Sequence, residues 1–464
     1  MSFKKSFFKN ISSLALYTYI QQGIEFFSTV ILSRILLPDE YGFVTIIYLF
    51  SGFFQLFANA GIGQSLIRSD YGSTFHRHLF SLSMWIGISL AALLCIMAYP
   101  IAYFFNDMRL VLPTIIVSLY FVFDSINFIP HALLAKQLNF KIIGISRVAG
   151  TAFTIALTIL LAYLGMSYWA LIIPGICNPL IQYYILRKNS KFPLVIYSYK
   201  AAFRTLKKIK SLFGNLTLQN IVSYWGKNLD KMLIGKSYTM ADLGLYNRAF
   251  RFIELNYKLI SGIFSSVLFP SLKKLQSTNG DINKEYLDIL GVTTLINYPL
   301  ALILIAIPSE LVYVLWGNNW MQVATYLPYI GIIIIFQTIL STMNPVFMLY
   351  GKEGKSSIIT VFTSVFNATA IAIGAFFSMK MIIILYTCSI VLFIVPINIY
   401  FGFYKAFCVP VKQLLSFWLL KLVLVIVMLF SIIFEYREIT LVTLLVFLVH
   451  LLFSQKKYLF LYTI

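Results

Sequence analysis

The sequence predicts an all-α integral membrane protein of about fourteen transmembrane helices, in two parallel-repeat six-helix bundles followed by two additional helices. An apolar excess, basic residues clustered in alternate loops and an internal repeat support this fold class. Of the 464 residues, 60% are hydrophobic and 11% are charged, and the mean hydropathy is +0.85. Soluble proteins average about 45–50% apolar and about 25% charged residues. The composition therefore excludes an ordinary soluble domain.

Charged, Pro/Gly and Asn clusters divide the chain into fourteen apolar segments. These segments begin near residues 12, 41, 79, 110, 142, 167, 211, 243, 286, 322, 356, 381, 413 and 439. The first runs to Leu37 without an A-x-A cleavage pattern, so we interpret it as a spanning helix rather than a signal peptide. The seventh, which contains Asp230, is polar for a helix that faces lipid.

The basic residues test this division, because Lys and Arg accumulate in the cytoplasmic loops of membrane proteins. With the N-terminus inside, 24 of the 36 Lys and Arg fall in inner loops and 4 fall in outer loops. The bias predicts that both termini are cytoplasmic. It also accounts for most of the net charge of +20 without a nucleic-acid partner.

An internal repeat relates the two halves at a separation of 202 residues. Its clearest part aligns SRILLPDEYGFV (33–44) with GKSYTMADLGLY (235–246), which places Arg34 opposite Lys236 and Gly42 opposite Gly244. Six spans per half give both halves the same orientation, the parallel repeat that places a substrate path between two bundles. The predicted organisation is a bundle at 1–187, a basic cytoplasmic linker at 188–210, a second bundle at 211–405 and two additional helices at 406–464.

Several stretches resemble one transporter family. They are SRILLPDEYGFVTIIYLFSGFFQLFANAGIGQSLIRS (33–69), HALLAKQLNFK (131–141), NLDKMLIGKSYTMADLGLYNRAFRF (228–252) and VLFPSLKKLQ (267–276). In this order they are similar to the polysaccharide-transporter family of the multidrug/oligosaccharidyl-lipid/polysaccharide flippase superfamily.

The resemblance implies a Wzx-type flippase in the bacterial cytoplasmic (inner) membrane. Its implied substrate is an undecaprenyl-diphosphate-linked oligosaccharide repeat unit for O-antigen of lipopolysaccharide, capsule or exopolysaccharide. Its implied partners are this polyprenyl-diphosphate-linked oligosaccharide, the lipid bilayer, and a polysaccharide polymerase with its chain-length machinery.

Cations within or beside the spans are the candidate substrate-binding residues, because a charge at mid-bilayer costs about 2.5–3.5 kcal/mol unless it lines a wet cavity, pairs or reaches an interface. The candidates are Arg248, Arg251, Lys227, Lys231, Lys258, Arg34 and Lys236. Helical spacing places Lys227 and Lys231 on one face, and Arg248, Arg251 and Lys258 on another. Such a cationic wall suits a diphosphate, whereas Arg34 and Lys236 form a pseudo-symmetric pair at the outer mouth.

Intramembrane acids are candidates for ion coupling or for charge pairing, and the sequence leaves both roles open. They are Glu25, Asp124, Asp230 and Glu254. Burial raises the pKa of a carboxyl group towards neutrality, which suits a proton carrier. Tyr224 and Trp225 are candidates for stacking on sugar rings. We find no catalytic arrangement, P-loop or metal spacing, so the sequence predicts no enzyme, metal or cofactor.

Two other functions are compatible with a polytopic membrane protein. A cation-coupled multidrug exporter on the same architecture would need acids to dominate its cavity, whereas cations dominate here. A membrane-bound polymerase or ligase usually carries a large outer loop with catalytic residues, and no predicted outer loop exceeds about 15 residues.

Overall fold

The computed structural model describes residues 3–58, 66, 73–190, 192, 197–199, 221, 224–261, 268–269, 271–273, 275–276, 282–401 and 411–454. Within these ranges the regular structure is helical and contains no strand, which confirms the all-α prediction. The chain divides into two compact units, Met1–Gly244 and Leu245–Ile464. Much of the segment 188–210 lies outside the described residues, so the linker and the bundle boundaries stay a prediction.

The first unit contains eight described α-helices. They are α1 (Phe3–Ser33), α2 (Pro38–Ala58), α3 (Ser73–Phe104), α4 (Val111–Ser125), α5 (Phe128–Lys136), α6 (Phe140–Tyr163), α7 (Trp169–Ser190) and α8 (residues 224–237). Helix α6 packs against both α1 and α7, and α3 packs against α4. A short connection, as between α6 and α7, favours antiparallel neighbours.

The remaining helices belong to the second unit, apart from the first turn of α9. They are α9 (Met240–Asn256), α10 (Ile282–Ala306), α11 (Pro308–Trp316), α12 (Leu327–Leu349), α13 (Glu353–Ala375), α14 (Met379–Phe401), α15 (Val411–Ile433) and α16 (Arg437–Ser454). A π-helical turn, Tyr257–Ser261, follows α9 directly. Helix α10 packs along α12, and α15 packs against α16.

Nine described segments are long and apolar enough to cross a bilayer, which supports a multi-pass membrane protein. They are Pro38–Ala58, Thr74–Phe104, Met108–Lys136, Phe140–Tyr163, Trp169–Ser190, Asp288–Ala306, Leu327–Leu349, Gly354–Ala375 and Met379–Phe401. The segment Met108–Lys136 joins α4 and α5 into one span. The count of fourteen spans stays a prediction.

The two repeat motifs each start a helix in the same way. Helix α2 begins at Pro38, and the fixed φ angle of proline suits the first helical position. The Glu40 carboxylate accepts a hydrogen bond from the backbone N–H of Leu37 at 2.7 Å. The Asp242 carboxylate accepts the N–H of Thr239 at 3.2 Å at the start of α9. These two capping bonds are related by the 202-residue repeat. The PDEYG segment therefore starts α2, and α1 already ends at Ser33.

Gly42 and Gly244 allow these two helix starts to touch through their backbones. A Cβ atom on Gly42 would overlap the carbonyl oxygen of Met240, and one on Gly244 would overlap the carbonyl oxygen of Pro38. Each such atom would also lie 3.0–3.1 Å from the amide nitrogen of the opposite glycine. Pro38 and Met240 are themselves 202 residues apart, so the contact is reciprocal. We call this contact the glycine crossing.

The glycine crossing predicts an asymmetric response to added methyl groups. We expect Gly42→Ala and Gly244→Ala each to destabilise the protein by about 1–3 kcal/mol, since a carbonyl oxygen must move to admit the new side chain. Gly23→Ala is the matched control, because a Cβ at this position in α1 meets no atom within 4 Å. Thermal unfolding in detergent measures the effect. Equal unfolding temperatures for all three variants would contradict the tight crossing.

Candidate functional site

The outer-mouth pair consists of Arg34 and Lys236, which occupy matching positions of the repeat. Arg34 lies in the turn after α1 and is exposed. The Nζ atom of Lys236 donates to the carbonyl of Phe104 at the end of α3 and lies 5.0 Å from the centre of the Phe104 ring. A cation at this place complements the negative end of the α3 dipole. Lys236 therefore helps to attach α8 to α3.

Tyr224 and Trp225 begin the described part of α8 and pack on α2. The rings of Trp225 and Phe53 are 5.3 Å apart, and those of Trp225 and Phe50 are 6.3 Å apart. The Tyr224 hydroxyl donates to the carbonyl of Leu49. A Cβ atom on Gly52 would lie 2.7 Å from this hydroxyl, so the small residue permits the contact. Both aromatic residues hold α8 to α2, and their sugar-stacking role stays a prediction.

The charged residues of α8 occupy different environments. Lys227 is exposed, and Lys231 is half-buried with its Nζ donating to the Asn228 side-chain oxygen at 3.2 Å. Asp230 is buried, with 7% of its surface exposed. Lys227 and Lys231 thus present the accessible positive charge of this helix.

Glu25 lies on α1 beside two glutamine side chains. Its carboxylate accepts one bond from the Gln21 amide at 3.0 Å and another from the Gln22 amide at 3.3 Å. Both donors lie within one turn of α1, so these bonds are local to the helix. The ion-coupling role of Glu25 stays a prediction.

Asp124 on α4 lies beside a cavity of the first unit. The Gln55 amide donates to its carboxylate at 2.7 Å, and this bond joins α2 to α4. Gln55 and Tyr120 line the cavity, whose volume is about 300 Å³. The Gln55 carbonyl oxygen is buried, and no described group donates a hydrogen bond to it. Carboxylate and amide oxygens are both suitable ligands for a hard cation, and a carboxylate can also receive a proton.

Arg248 contacts the rings of two tryptophans of the second unit. Its guanidinium carbon lies 4.6 Å from the Trp320 ring centre and 5.3 Å from that of Trp316. Only 6% of its surface is exposed. A planar guanidinium stacks well on indole faces, and a desolvated contact of this kind contributes about 2 kcal/mol. This geometry gives Arg248 a structural role in the second unit.

The other two cations of the predicted second face differ from Arg248. Arg251 pairs with Glu254 at 3.0 Å, with side-chain exposures of 32% and 44%. Lys258 lies in the π-helical turn and is exposed. A π turn bonds i to i+5 and so shifts the face that follows it. Arg248, Arg251 and Lys258 therefore do not share one environment.

The structure brings some predicted site residues together and keeps others in separate units. Lys227 and Lys231 belong to the first unit, whereas Arg248, Arg251 and Lys258 belong to the second. A single cationic wall therefore stays a prediction.

Sequence reasoning missed Gln55. The sequence signal for it was a polar amide side chain within an otherwise apolar helix. Sequence reasoning also missed the two tryptophans of the WGNNW stretch (316–320), whose rings contact Arg248. Among the described residues no group of three His, Cys, Asp or Glu side chains forms a metal site.

Comparisons with known proteins identify a protein family and several relatives. A family described as "Polysaccharide biosynthesis protein" matches residues 31–325. An uncharacterized membrane protein in the cps region of Klebsiella pneumoniae is 24% identical over 349 residues, covering 74% of this chain and 70% of that protein. The lipopolysaccharide biosynthesis protein WzxC of Escherichia coli K12 is 22% identical over 391 residues, covering 81% of this chain and 76% of that protein.

A solved structure shares the fold. The lipid II flippase MurJ in an inward closed conformation superposes with a TM-score of 0.71 at 16% sequence identity. The match covers 95% of this chain and 99% of that chain. At this identity the likeness establishes the fold alone. It supports the expected all-helical fold with many membrane spans.

The cation–π contacts of Arg248 predict a difference between neighbouring cations. We expect Arg248→Gln to lower the free energy of unfolding by about 2 kcal/mol, because it removes a buried cation from its contacts with two indole rings. Arg251→Gln is the matched control, since a partly exposed ion pair contributes only about 0–1 kcal/mol. Thermal unfolding of both variants in one detergent measures the difference. An equal loss for both, or a larger loss for Arg251→Gln, would refute the stacking account.

Proposed function

Since this chain belongs to the polysaccharide biosynthesis protein family, we propose that it is a flippase for an undecaprenyl-diphosphate-linked oligosaccharide repeat unit. The family match over residues 31–325 is the observation that carries the proposal. The MurJ-like fold and the similarity to WzxC support it. The protein acts as a transporter rather than an enzyme, in the bacterial cytoplasmic membrane, for O-antigen, capsule or exopolysaccharide assembly. The loop-charge bias supports cytoplasmic termini.

The diphosphate of the substrate explains the accessible cations. Lys227, Lys231, Arg251 and Lys258 keep part of their surface exposed. Arg binds phosphate oxygens in a bidentate geometry, and Lys acts as a point charge. The Arg251–Glu254 pair can exchange its carboxylate for a phosphate, because a half-exposed pair is weak. These residues receive the head group while the polyprenyl chain stays in lipid, and alternating access carries the head group across.

Asp124 is the residue that we assign to ion coupling. It bonds to Gln55, a polar residue that lines a largely apolar cavity, and this bond links α2 to α4. Protonation of the carboxyl group, or binding of a sodium ion, changes this bond and therefore the contact between the two helices. Glu25 is the weaker candidate, because Gln21 and Gln22 already donate hydrogen bonds to its carboxylate. Asp230 and Glu254 serve charge pairing in this account.

A cation-coupled multidrug exporter is the alternative that the same architecture allows. Such a protein needs an acidic cavity for cationic drugs, and the exposed charges of α8 are lysines. The family match favours the polysaccharide substrate. A polymerase with its chain-length machinery is the partner expected next in the pathway.

Polymer export tests the proposed function. In cells that lack their own repeat-unit flippase, we expect this protein to restore export of a matching surface polysaccharide. Arg251→Gln should reduce export about tenfold or more, because a charge-assisted bond to phosphate contributes about 1.5–3 kcal/mol. The control is Lys355→Gln, which changes an exposed residue of α13 and should leave export unchanged. Unimpaired export by Arg251→Gln at normal protein level would remove Arg251 from the substrate path.

Ion coupling has its own test. We expect Asp124→Asn to abolish the dependence of transport on an imposed proton or sodium gradient, since the amide cannot exchange a proton or match a cation charge. Asp39→Asn, an exposed change at the start of α2, should keep that dependence. The measurement is the initial rate of transport in vesicles with and without each gradient. A gradient effect of normal size in Asp124→Asn would rule out this assignment.

A further inference from the structure

The second unit contains a cavity with both polar and apolar lining that the proposed transport path does not use. It has a volume of about 360 Å³ and lies where the α10–α11 connection meets the start of α12 and the α15–α16 hairpin. Its lining includes Glu310, Pro328, Ser431, Arg437 and Thr440. We call it the hairpin cavity.

The hairpin cavity lies next to the ends of two candidate membrane spans. The span of α10 ends at Ala306 and that of α12 begins at Leu327, and both ends are next to the cavity. Phe434 and Tyr436 stand beside it with 63% and 59% of their surfaces exposed. Exposed aromatic residues next to span ends are typical of the membrane–water interface. Apolar surface and an aqueous boundary therefore meet at this cavity.

Two opposite charges face the hairpin cavity without neutralising each other. In the described part of the chain, neither the Glu310 carboxylate nor the Arg437 guanidinium forms an ion pair or hydrogen bond. The third charged residue of the lining, Glu435, is already paired with Lys380 at 2.7 Å, and this bond lowers the pKa of Glu435. Glu310 and Arg437 are thus the charges that remain for a ligand.

The inner part of the cavity is polar as well. The Ser431 and Thr440 hydroxyls are hydrogen-bonded to each other at 2.9 Å, with only 3% and 8% of these residues exposed. This bond ties α15 to α16 at the hairpin. Helix α16 begins at Arg437, so the positive end of its dipole adds to the guanidinium charge. An anionic group is favoured on the Arg437 side and a cationic group on the Glu310 side.

We infer that the hairpin cavity binds the head group of an amine-containing phospholipid. Arg437 and the start of α16 hold the phosphate, and the Glu310 carboxylate accepts hydrogen bonds from the primary ammonium. The acyl chains lie on the exposed apolar surface of α16, which includes Leu441 with 48% exposure. A membrane lipid fits better than a soluble zwitterion, because the cavity lies at span ends and adjoins apolar surface. This inference is independent of the proposed flippase activity.

Lipid retention in nanodiscs of defined composition tests the inference. The full chain is reconstituted with equal amounts of phosphatidylethanolamine, phosphatidylcholine and phosphatidylglycerol, and co-purifying lipids are counted by native mass spectrometry. We expect retention of phosphatidylethanolamine about tenfold above the other two, because only this lipid carries both a phosphate and an N–H donor cation. Equal retention of the three lipids would overturn the inference.

Two variants test the separate roles of Glu310 and Arg437 in lipid binding. Glu310→Gln should remove the preference for phosphatidylethanolamine over phosphatidylglycerol, whereas Arg437→Gln should reduce retention of both lipids. Glu438→Gln is the matched control, an exposed residue in the first turn of α16 that does not line the cavity. Unfolding temperatures near that of the unmodified protein show that each variant is folded. The same lipid profile for Glu310→Gln and Glu438→Gln would overturn the assignment of Glu310.

Discussion

The backbones of α2 and α9 touch where Gly42 faces Met240 and Gly244 faces Pro38, and each contact excludes any side chain. Close approach of helices through small residues is a general means of packing in membranes, where lipid provides no hydrophobic drive for association. This crossing fixes the start of α9 on α2. It thereby positions α8, which precedes α9 directly and packs its Tyr224 and Trp225 on α2.

The candidate cations fall into two groups, those with a structural partner and those that are exposed to solvent or lipid. Cations that are buried or attached have a structural partner nearby, as Arg248 has in two tryptophans and Lys236 has in the end of α3. Lys227 and Lys258 stay exposed instead. Burial of an unpaired charge is expensive, so the exposed cations are the ones available to an anionic substrate. This division assigns roles that helical spacing alone does not separate.

The all-helical fold and the repeat were predictable from the sequence. Long apolar runs indicate membrane spans, and the 202-residue separation identifies equivalent positions in the two halves. That separation correctly paired Glu40 with Asp242 and Gly42 with Gly244, and the structure gives both pairs matching contacts. Side-chain surroundings were less predictable. Arg248 meets residues 68 and 72 positions later in the chain, and Gln55 meets Asp124 69 positions later. Such long-range contacts leave no periodic signal, and the π turn at Lys258 alters the spacing rule itself.

The central claim is that this chain moves the head group of a polyprenyl-diphosphate oligosaccharide across a bilayer. The most direct measurement is translocation in proteoliposomes that contain the purified protein and a defined lipid-linked oligosaccharide with a labelled sugar. The account predicts that the label becomes accessible on the opposite face at a rate that depends on the protein, with no nucleotide present. Movement no faster than in protein-free liposomes, with correctly inserted and folded protein under each imposed ion gradient, would contradict the account.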